Sequence, residues 1–309
     1  MSDAIQNKKI IGIIPTLNRH DDLKRLFQSV ANIESDTNIN FEIVVIDNSS
    51  DANAQTIIEQ IEIPYPLHYI HEKNKGLSHA RNAALKAFTD ECDYFCTIDD
   101  DLVLPVNYLH AICNTINTFP NAGLIGGRVE LYNKLDLPIT IKTSMQVEQY
   151  AGGMNIFGFI HGCCMLIDSQ TVKNIGYFDI NLGAGTHCGS AEDTDYFYRI
   201  WALSKDIVYT PDWHVHHNHG RRTTVEHYNL RRNYQIGQGA FFCKYKHERE
   251  VMRLAYWELS ADLKFAIKNV FSCMWFNKLK ECEKLRLIIA KWKHRFIGYK
   301  NYKAVRKQY

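Results

Sequence analysis

Three consecutive carboxylates, Asp99, Asp100 and Asp101, close a short apolar run, Tyr94-Phe95-Cys96-Thr97-Ile98. Adjacent anions repel, so folding alone gives little reason to set three of them at a strand end. A hard divalent cation supplies one: Mg2+ or Mn2+ prefers oxygen ligands, keeps several waters and shares its shell with substrate phosphates. The triplet points to a phosphate ester held through a metal, against the plainer alternative of a solvated acidic turn. A second cluster, Glu192-Asp193-Thr194-Asp195, follows the glycine-rich stretch 183–189 and precedes Phe197, Ile200 and Trp201 at helical spacing. Acids in a first turn complement the helix dipole. Alternatively, one of them is a general base at a helix start, beside a loop able to close over substrate. The third cluster places His214, His216, His217 and His219 within six positions. In a strand, Trp213, Val215 and His217 share one face and His214 and His216 the other, so one or two histidines at most reach a single ion. No cysteine or second histidine pair sits at zinc-finger spacing.

The elements that must position these residues read as alternating strands and helices. Residues 9–16 are a continuous apolar run, as in a strand buried on both faces of a parallel sheet, and Pro15 marks its end. Asn18-Arg19-His20-Asp21-Asp22 leads into Leu23, Leu26, Phe27 and Val30 at helical spacing, with Asp21 and Asp22 in the first turn. The alternation repeats: strand 41–46, turn 47–51, helix with Ile57, Ile58 and Ile61, strand 67–70, loop 71–76, then a helix with Ser78 as its cap. Further helix is expected over 107–118, and further strands over 124–129, 159–167 and 206–219; residues 131–157 lose periodicity. This order predicts a doubly wound α/β sheet. Ligands of such sheets bind beyond the carboxyl ends of the strands, which gathers 16–19, 47–50, 74–76 and 99–101 around one crevice. Asp47 there suits a ribose or base as an acceptor, or simply an Asx turn. Arg81, early in its helix where the dipole disfavours a cation, suits a phosphate, the aspartates or a surface ion pair.

At 309 residues and 46% hydrophobic, the chain has room for one large or two modest domains. The polar start (Ser2, Asp3, Gln6, Asn7, Lys8, Lys9) does not read as a signal peptide, and no run is long enough to cross a bilayer. Nine scattered cysteines without a CxxC pair are expected to be reduced thiols, as in the cytoplasm. The net charge of +2 conceals an asymmetry: residues 1–220 carry 15 basic and 27 acidic side chains, and 221–309 carry 21 and 7. The expected division is therefore 1–220 as the catalytic domain and 221–309 as a mainly helical, basic region.

Taken together, Pro15-Thr-Leu-Asn-Arg19, Val45-Ile-Asp47-Asn-Ser-Ser, Asn74-Lys-Gly76-Leu-Ser-His-Ala-Arg81-Asn82, Asp99-Asp-Asp101, Glu192-Asp193 and the late histidine resemble family 2 glycosyltransferases of the GT-A fold over about 8–220. The resemblance implies an α/β, doubly wound mixed sheet flanked by helices, and an inverting transfer from a nucleoside-diphosphate sugar, UDP being the favoured nucleotide. Pro15, Thr16, Asn18, Arg19, Asp47, Asn74 and Gly76 would line the nucleotide-sugar site, with Arg81 in support. Asp99 would lie near ribose and metal, Asp100 near the donor sugar, and Asp101 would ligate Mn2+ or Mg2+ directly. His217, preferred over His216, would be the third ligand. Asp193 occupies the catalytic-base position and Glu192 would orient the acceptor or the loop. The acceptor would be a glycan or lipid-linked sugar in bacterial surface polysaccharide or glycolipid assembly.

Two alternatives compete. A sugar nucleotidyltransferase also uses an α/β sheet and a metal, but a glycine-rich phosphate loop followed by a first-turn Arg or Lys is not found. A basic nucleic-acid-binding module would use the C-terminal charge, yet no DNA- or RNA-binding signature appears, so nucleic acid is not an expected partner. Residues 264–309 hold 13 basic and 2 acidic side chains among Phe265, Ile267, Val270, Phe271, Met274, Trp275, Phe276, Leu279 and others. Leu285, Ile288, Ile289, Trp292 and Phe296 at helical intervals suit an anionic membrane surface, placing the protein on the inner face of the cell membrane. A helical hairpin packed on the rest of the protein is the other reading of the same pattern.

Overall fold

The computed structural model describes residues 7–153, 155–276 and 279–307, and their side chains except those of 269 and 271–281. The polar residues 1–6 and the side chains of Phe271, Met274, Trp275, Phe276 and Leu279, read above for a leader and a membrane face, lie outside what is described. The chain falls into two compact units: Met1–Tyr150, Ile156–Ile180 and Asp193–His227 form the first, and Ala151–Asn155, Asn181–Glu192 and Tyr228–Tyr309 the second.

The first unit is built on one nine-stranded mixed sheet. Its parallel half takes β1 (Lys8–Thr16), β2 (Ile39–Asp47), β3 (Leu67–His71) and β4 (Tyr94–Thr97) in the spatial order β3-β2-β1-β4. Ile10, Ile11, Ile13 and Ile14 of β1 are all fully buried, so the run without alternation is a strand covered on both faces. Each such side chain removed from water contributes about 1.5–3 kcal/mol. The order reverses at β1, with β2 on one side and β4 on the other, which is the switch point at whose carboxyl end sheets of this kind bind their ligands. Asn18 turns the chain out of β1 with φ of 55°, a conformation asparagine tolerates, into α1 (His20–Val30). That helix buries Leu23, Leu26, Phe27 and Val30 as its spacing predicts.

Past β4 the sheet continues through β8 (Met165–Asp168), β6 (Ala122–Leu131), β9 (Asp206–His217) and the two-residue β5 (Leu102–Val103), with β7 (Glu148–Gln149) pairing β9. The doubly wound α/β expectation holds, and several details differ. The expected strand 159–167 is extended only from Met165, because 159–164 turn and the Gly162 carbonyl accepts from Arg81 and not from a strand. The helix expected around Ile57 and Ile61 shrinks to α2 (Gln55–Ile58). α3 (Leu77–Phe88) starts one residue before Ser78, with Gly76 at its N-cap; Gly76 has a φ of 133°, which side-chain-bearing residues rarely adopt. β9 alternates as predicted: Trp213, Val215 and His217 are buried while His214 and His216 are half-buried.

The second unit is helical: α7 (Thr224–Lys244), α8 (Arg249–Phe276) and α9 (Leu279–Val305), after α4 (Tyr108–Thr118), α5 (Ser169–Ile175) and α6 (Glu192–Ala202). A capping box opens α7, with Glu226 accepting from Thr223 N (2.8 Å) and Thr223 Oγ1 accepting from Glu226 N (3.2 Å). α9 runs against α7 so closely that a Cβ on Gly239 would overlap the Arg295 carbonyl, and one on Gly298 the Ile236 carbonyl. It also docks on α8: Lys291 and Trp292 each donate to Asp262 (2.8 Å), and Arg295 pairs with Glu258 (2.6 Å). The 181–192 loop belongs to this packing, with Asn301 donating to the His187 carbonyl (2.7 Å). Cys282 is disulfide-bonded, a departure from the all-thiol expectation, while the seven other cysteines among the described side chains are free. Among the described residues, no helix is long and apolar enough to cross a membrane.

Candidate active site

The acid triplet is clamped from β1 and the turn after it. Thr16 Oγ1 donates to Asp100 (2.8 Å), Arg19 Nη1 donates to the other Asp100 oxygen (2.8 Å), and Arg19 Nη2 donates to Asp101 (3.0 Å). Asp22, one turn into α1, holds the Arg19 Nε at 3.0 Å and so aims the guanidinium. Burial and the Asp101 charge, opposed by Arg19, push the Asp100 carboxyl up to about 7. Burial acts on Asp101 too, but His217 and Arg19 together hold it well below the usual carboxylate range. Arg19 is held above its ordinary value because the aspartates outweigh its burial.

β5 brings the histidine in. Leu102 pairs with His217 across the β5–β9 ladder, which sets the ring beside Asp101. The Nε2 atom stands 3.2 Å from Asp101 Oδ1, yet that oxygen is buried without a hydrogen bond among the described residues. Burial disfavours the His217 cation, and Asp101 overcomes this and raises its pKa. Its Nδ1 lies 3.3 Å from both the Thr140 carbonyl and the Thr140 hydroxyl, which fixes the ring so that Nε2 is directed to Asp101. His216 instead faces Glu130 at 3.6 Å.

This pair fits a hard cation. Two donor atoms at about 2.1 Å from one ion, at right angles, stand roughly 3 Å apart. Asp101 Oδ1 and His217 Nε2 meet that spacing, and Asp101 Oδ1 has no competing hydrogen-bond donor among the described residues. Asp99 is turned elsewhere, accepting from Arg81 Nη2 at 3.2 Å. Among the described residues no three His, Cys, Asp or Glu side chains converge as a complete cage. An ion that draws its remaining ligands from water and a diphosphate suits such a site.

Arg81 links the triplet to the second acidic cluster. It is almost fully buried on α3, and the same Nη2 that reaches Asp99 donates to the Gly162 carbonyl at 3.0 Å. Gly162 in turn touches Asp193: an added Cβ would lie 3.1 Å from Asp193 Oδ2 and 3.4 Å from Arg81 Nη1. Asp193 Oδ1 accepts from Thr194 N (2.6 Å) and Thr194 Oγ1 (3.2 Å), leaving Oδ2 on the Gly162 side. Asp195 is bound by Arg199 at 3.1 Å, and Glu192 is buried at the start of α6. His161, which the motif reading passed over, is electrostatically coupled to both Asp193 and His217; burial lowers its pKa and His217 adds to the effect. Gly162→Ala should push Asp193 by a few tenths of an ångström and lower kcat about tenfold, with the melting temperature and donor binding nearly unchanged. Steady-state kinetics and calorimetry on the variant check this.

The other rim residues organise loops. Asp47 is fully buried and accepts from Ser49 N (2.8 Å), Ala54 N (2.8 Å) and the Tyr69 hydroxyl (3.1 Å). It therefore shapes the 48–54 turn, as the Asx-turn reading has it. Burial opposes its ionisation, but these donors hold its pKa below the ordinary value. Its contribution to stability is thus present above about pH 4 and lost as the pH falls through the lower, folded-state value. Asp47→Asn should cost about 1–3 kcal/mol in urea unfolding at pH 7, and less in acid. Asn48, within the 45–50 motif but given no role there, donates to the Glu72 (2.7 Å) and Asn74 (2.8 Å) carbonyls and accepts from Gly76 N (2.7 Å). An asparagine one residue past a strand end, able to bridge two loops, is the signal that could have found it.

The profile of Glycosyl transferase family 2 matches residues 13–176, and the chain belongs to that family. The succinoglycan biosynthesis protein ExoM of Rhizobium meliloti is 24% identical over 204 residues, 64% of this chain and 63% of ExoM. A dolichol-phosphate mannosyltransferase of Pyrococcus furiosus is 30% identical over 137 residues, 41% of this chain and 38% of that one. The matched stretches thus span less than two thirds of these relatives. Among solved structures, the mannosyltransferase PcManGT of Pyrobaculum calidifontis, in complex with GDP-Man and Mn2+, has a TM-score of 0.60 at 15% identity, covering 94% of this chain and 87% of its own. S. aureus TarS 1–349 has a TM-score of 0.56 at 17% identity, covering 97% and 91%. The fold is of the GT-A type.

Proposed function

We propose that this protein is an inverting glycosyltransferase that moves a sugar from a nucleoside-diphosphate donor to an acceptor hydroxyl. The observation that carries the reading is the arrangement of Asp101 Oδ1 and His217 Nε2, 3.2 Å apart, beneath an Arg19 clamp at the β1 switch point. Thr16, Asn18 and Arg19 line the nucleoside side of that crevice with Pro15; Asp47, Asn74 and Gly76 set its loops. Asp101 and His217 would hold Mn2+ or Mg2+, which when bound neutralises the departing diphosphate, while Asp99, expected as a further ligand, is held aside by Arg81. Asp100, whose two oxygens are taken by Thr16 and Arg19, would shape the donor-sugar side through that clamp. Asp193 takes the proton of the acceptor hydroxyl as that oxygen bonds to the anomeric carbon, and the electron pair of the breaking C–O bond leaves on the diphosphate. One displacement inverts the anomeric centre. Glu192 orients the acceptor or the loop before it.

Solved relatives support the donor class, since TarS 1–349 has been crystallised with UDP and PcManGT with GDP-Man and Mn2+. The similarity to ExoM, a succinoglycan biosynthesis protein, supports a role in polysaccharide biosynthesis; a glycan or lipid-linked acceptor, used from the cytoplasmic face of the membrane in surface polysaccharide or glycolipid assembly, belongs to the same proposal. The test is a screen of nucleotide-sugars with Mn2+ or Mg2+, read by released nucleoside diphosphate. Turnover of one donor that disappears in EDTA is expected; no release from any donor, with or without acceptor, overturns the reading.

A further inference from the structure

α8 carries an apolar stripe that its own unit leaves uncovered. Met252, Tyr256, Leu259, Leu263, Ile267 and Val270 follow one another at intervals of three and four, so they share one face over about 27 Å of helix. All six are exposed, Tyr256 by 74% and Ile267 by 63%. The face that packs is a different one: Val251 and Glu258 are buried, and Glu258 and Asp262 receive Lys291, Trp292 and Arg295 from α9. Aligned apolar side chains of this number on a surface mark a contact with something else.

Charge identifies what. The residues that follow four members of the stripe, Arg253, Trp257, Lys264 and Lys268, form a second exposed row beside it. It is cationic with one large aromatic. On α9 the exposed Arg286, Ile289, Lys293, Phe296, Lys300 and Lys303 repeat the mixture, with the Lys300 ammonium 4.7 Å from the Phe296 ring centre. A second copy of this helix would set cation against cation along the stripe. Of the acids on α8, Glu258 and Asp262 are already held by α9, which leaves Glu250 in the first turn against the three cations of the row. A nucleic acid would answer the charge and leave the apolar row in water. An anionic lipid surface answers both.

We propose that α8, through its 252–270 stripe and the neighbouring basic row, is the element that docks this protein on anionic membrane. The sequence pattern alone points to Leu285, Ile288, Ile289, Trp292 and Phe296, but Trp292 is turned to Asp262 and only part of that face is exposed. Deleting 264–309 would also remove Arg295 and Gly298 from α7, so point substitutions are the informative variants. The inference rests on the proposed function only for why a membrane should be sought; a binding assay without donor or acceptor fails or succeeds independently of turnover.

Full-length protein should co-sediment with vesicles of phosphatidylcholine and phosphatidylglycerol, not with phosphatidylcholine alone, and added salt should weaken the binding. Leu263→Glu with Ile267→Glu should weaken it at least about tenfold, with circular dichroism and melting unchanged because both side chains are exposed. Lys264→Glu with Lys268→Glu should do the same while keeping the apolar row. Wild-type protein that ignores anionic vesicles, or double variants that bind as well as wild type, would overturn the proposal. So would a wild-type dimer in sedimentation velocity that Leu263→Glu with Ile267→Glu converts to monomer, which would assign the stripe to a second copy.

Discussion

Asp193→Asn should reduce kcat by about 10²–10⁴-fold while leaving the dissociation constant of the nucleotide-sugar within a factor of two or so. The substitution keeps the shape of the side chain and an oxygen to accept from Thr194 N and Oγ1, so the first turn of α6 stays in place. What it removes is the basicity of the carboxylate beside Gly162. It also removes one negative charge at a helix start, about 0.3–1 kcal/mol of stability, too little to account for lost turnover. Glu192→Gln should be milder, since Glu192 would only orient. If Asp193→Asn kept wild-type turnover and Glu192→Gln were inactive, the two roles would be exchanged.

The parts of this site legible in the sequence are those whose chemistry and local spacing coincide. Asp99–Asp101 could be placed at a strand end because the apolar run before them is short and the charge abrupt. The facing of His217 followed from strand alternation alone, given Trp213 and Val215. Its meeting with Asp101 depends on a two-residue strand at Leu102–Val103, too short for any pattern to reveal. The Arg19 clamp is similar: the residue was recognisable, but its grip on Asp100 and Asp101 spans more than 80 positions. Asp47 shows the opposite limit. A carboxylate at a strand end reads as a ligand contact or as a turn organiser, and only the positions of Ser49, Ala54 and Tyr69 decide which donors fill it. On the fold, buried strands such as 9–16 and amphipathic α1 were plain. The turn at 159–164 was not, since Phe159, Ile160, Cys163 and Cys164 look like strand residues until Arg81 takes the Gly162 carbonyl. In the C-terminal helices one composition served two readings: Glu258 and Asp262 draw Lys291, Trp292 and Arg295 inward, as a packed hairpin requires, while Arg286, Lys293 and Lys300 stay exposed.

Asp101→Asn should abolish the metal-dependent part of donor binding while the protein remains folded. Asp101 is clamped on one oxygen by Arg19 and presents the other to His217, so the amide keeps a similar volume and one acceptor but loses the charge that a divalent ion requires. In wild-type protein, Mn2+ together with UDP or GDP should raise the melting temperature, because a ligand bound only by the folded state stabilises it by about 2.7 kcal/mol at a hundred times its dissociation constant. In Asp101→Asn that rise should vanish, and Mn2+-dependent nucleotide affinity should fall at least about a hundredfold. Without metal the variant should still fold but melt somewhat below the wild-type temperature, since it loses the charge that His217 and Arg19 stabilise. His217→Asn should fall between the two, losing one neutral ligand and leaving the carboxylate. An Asp101→Asn protein that keeps the full Mn2+-dependent rise, or wild-type turnover untouched by EDTA, would remove Asp101 and His217 from the metal site, leaving Arg19 and its aspartates as a purely structural clamp.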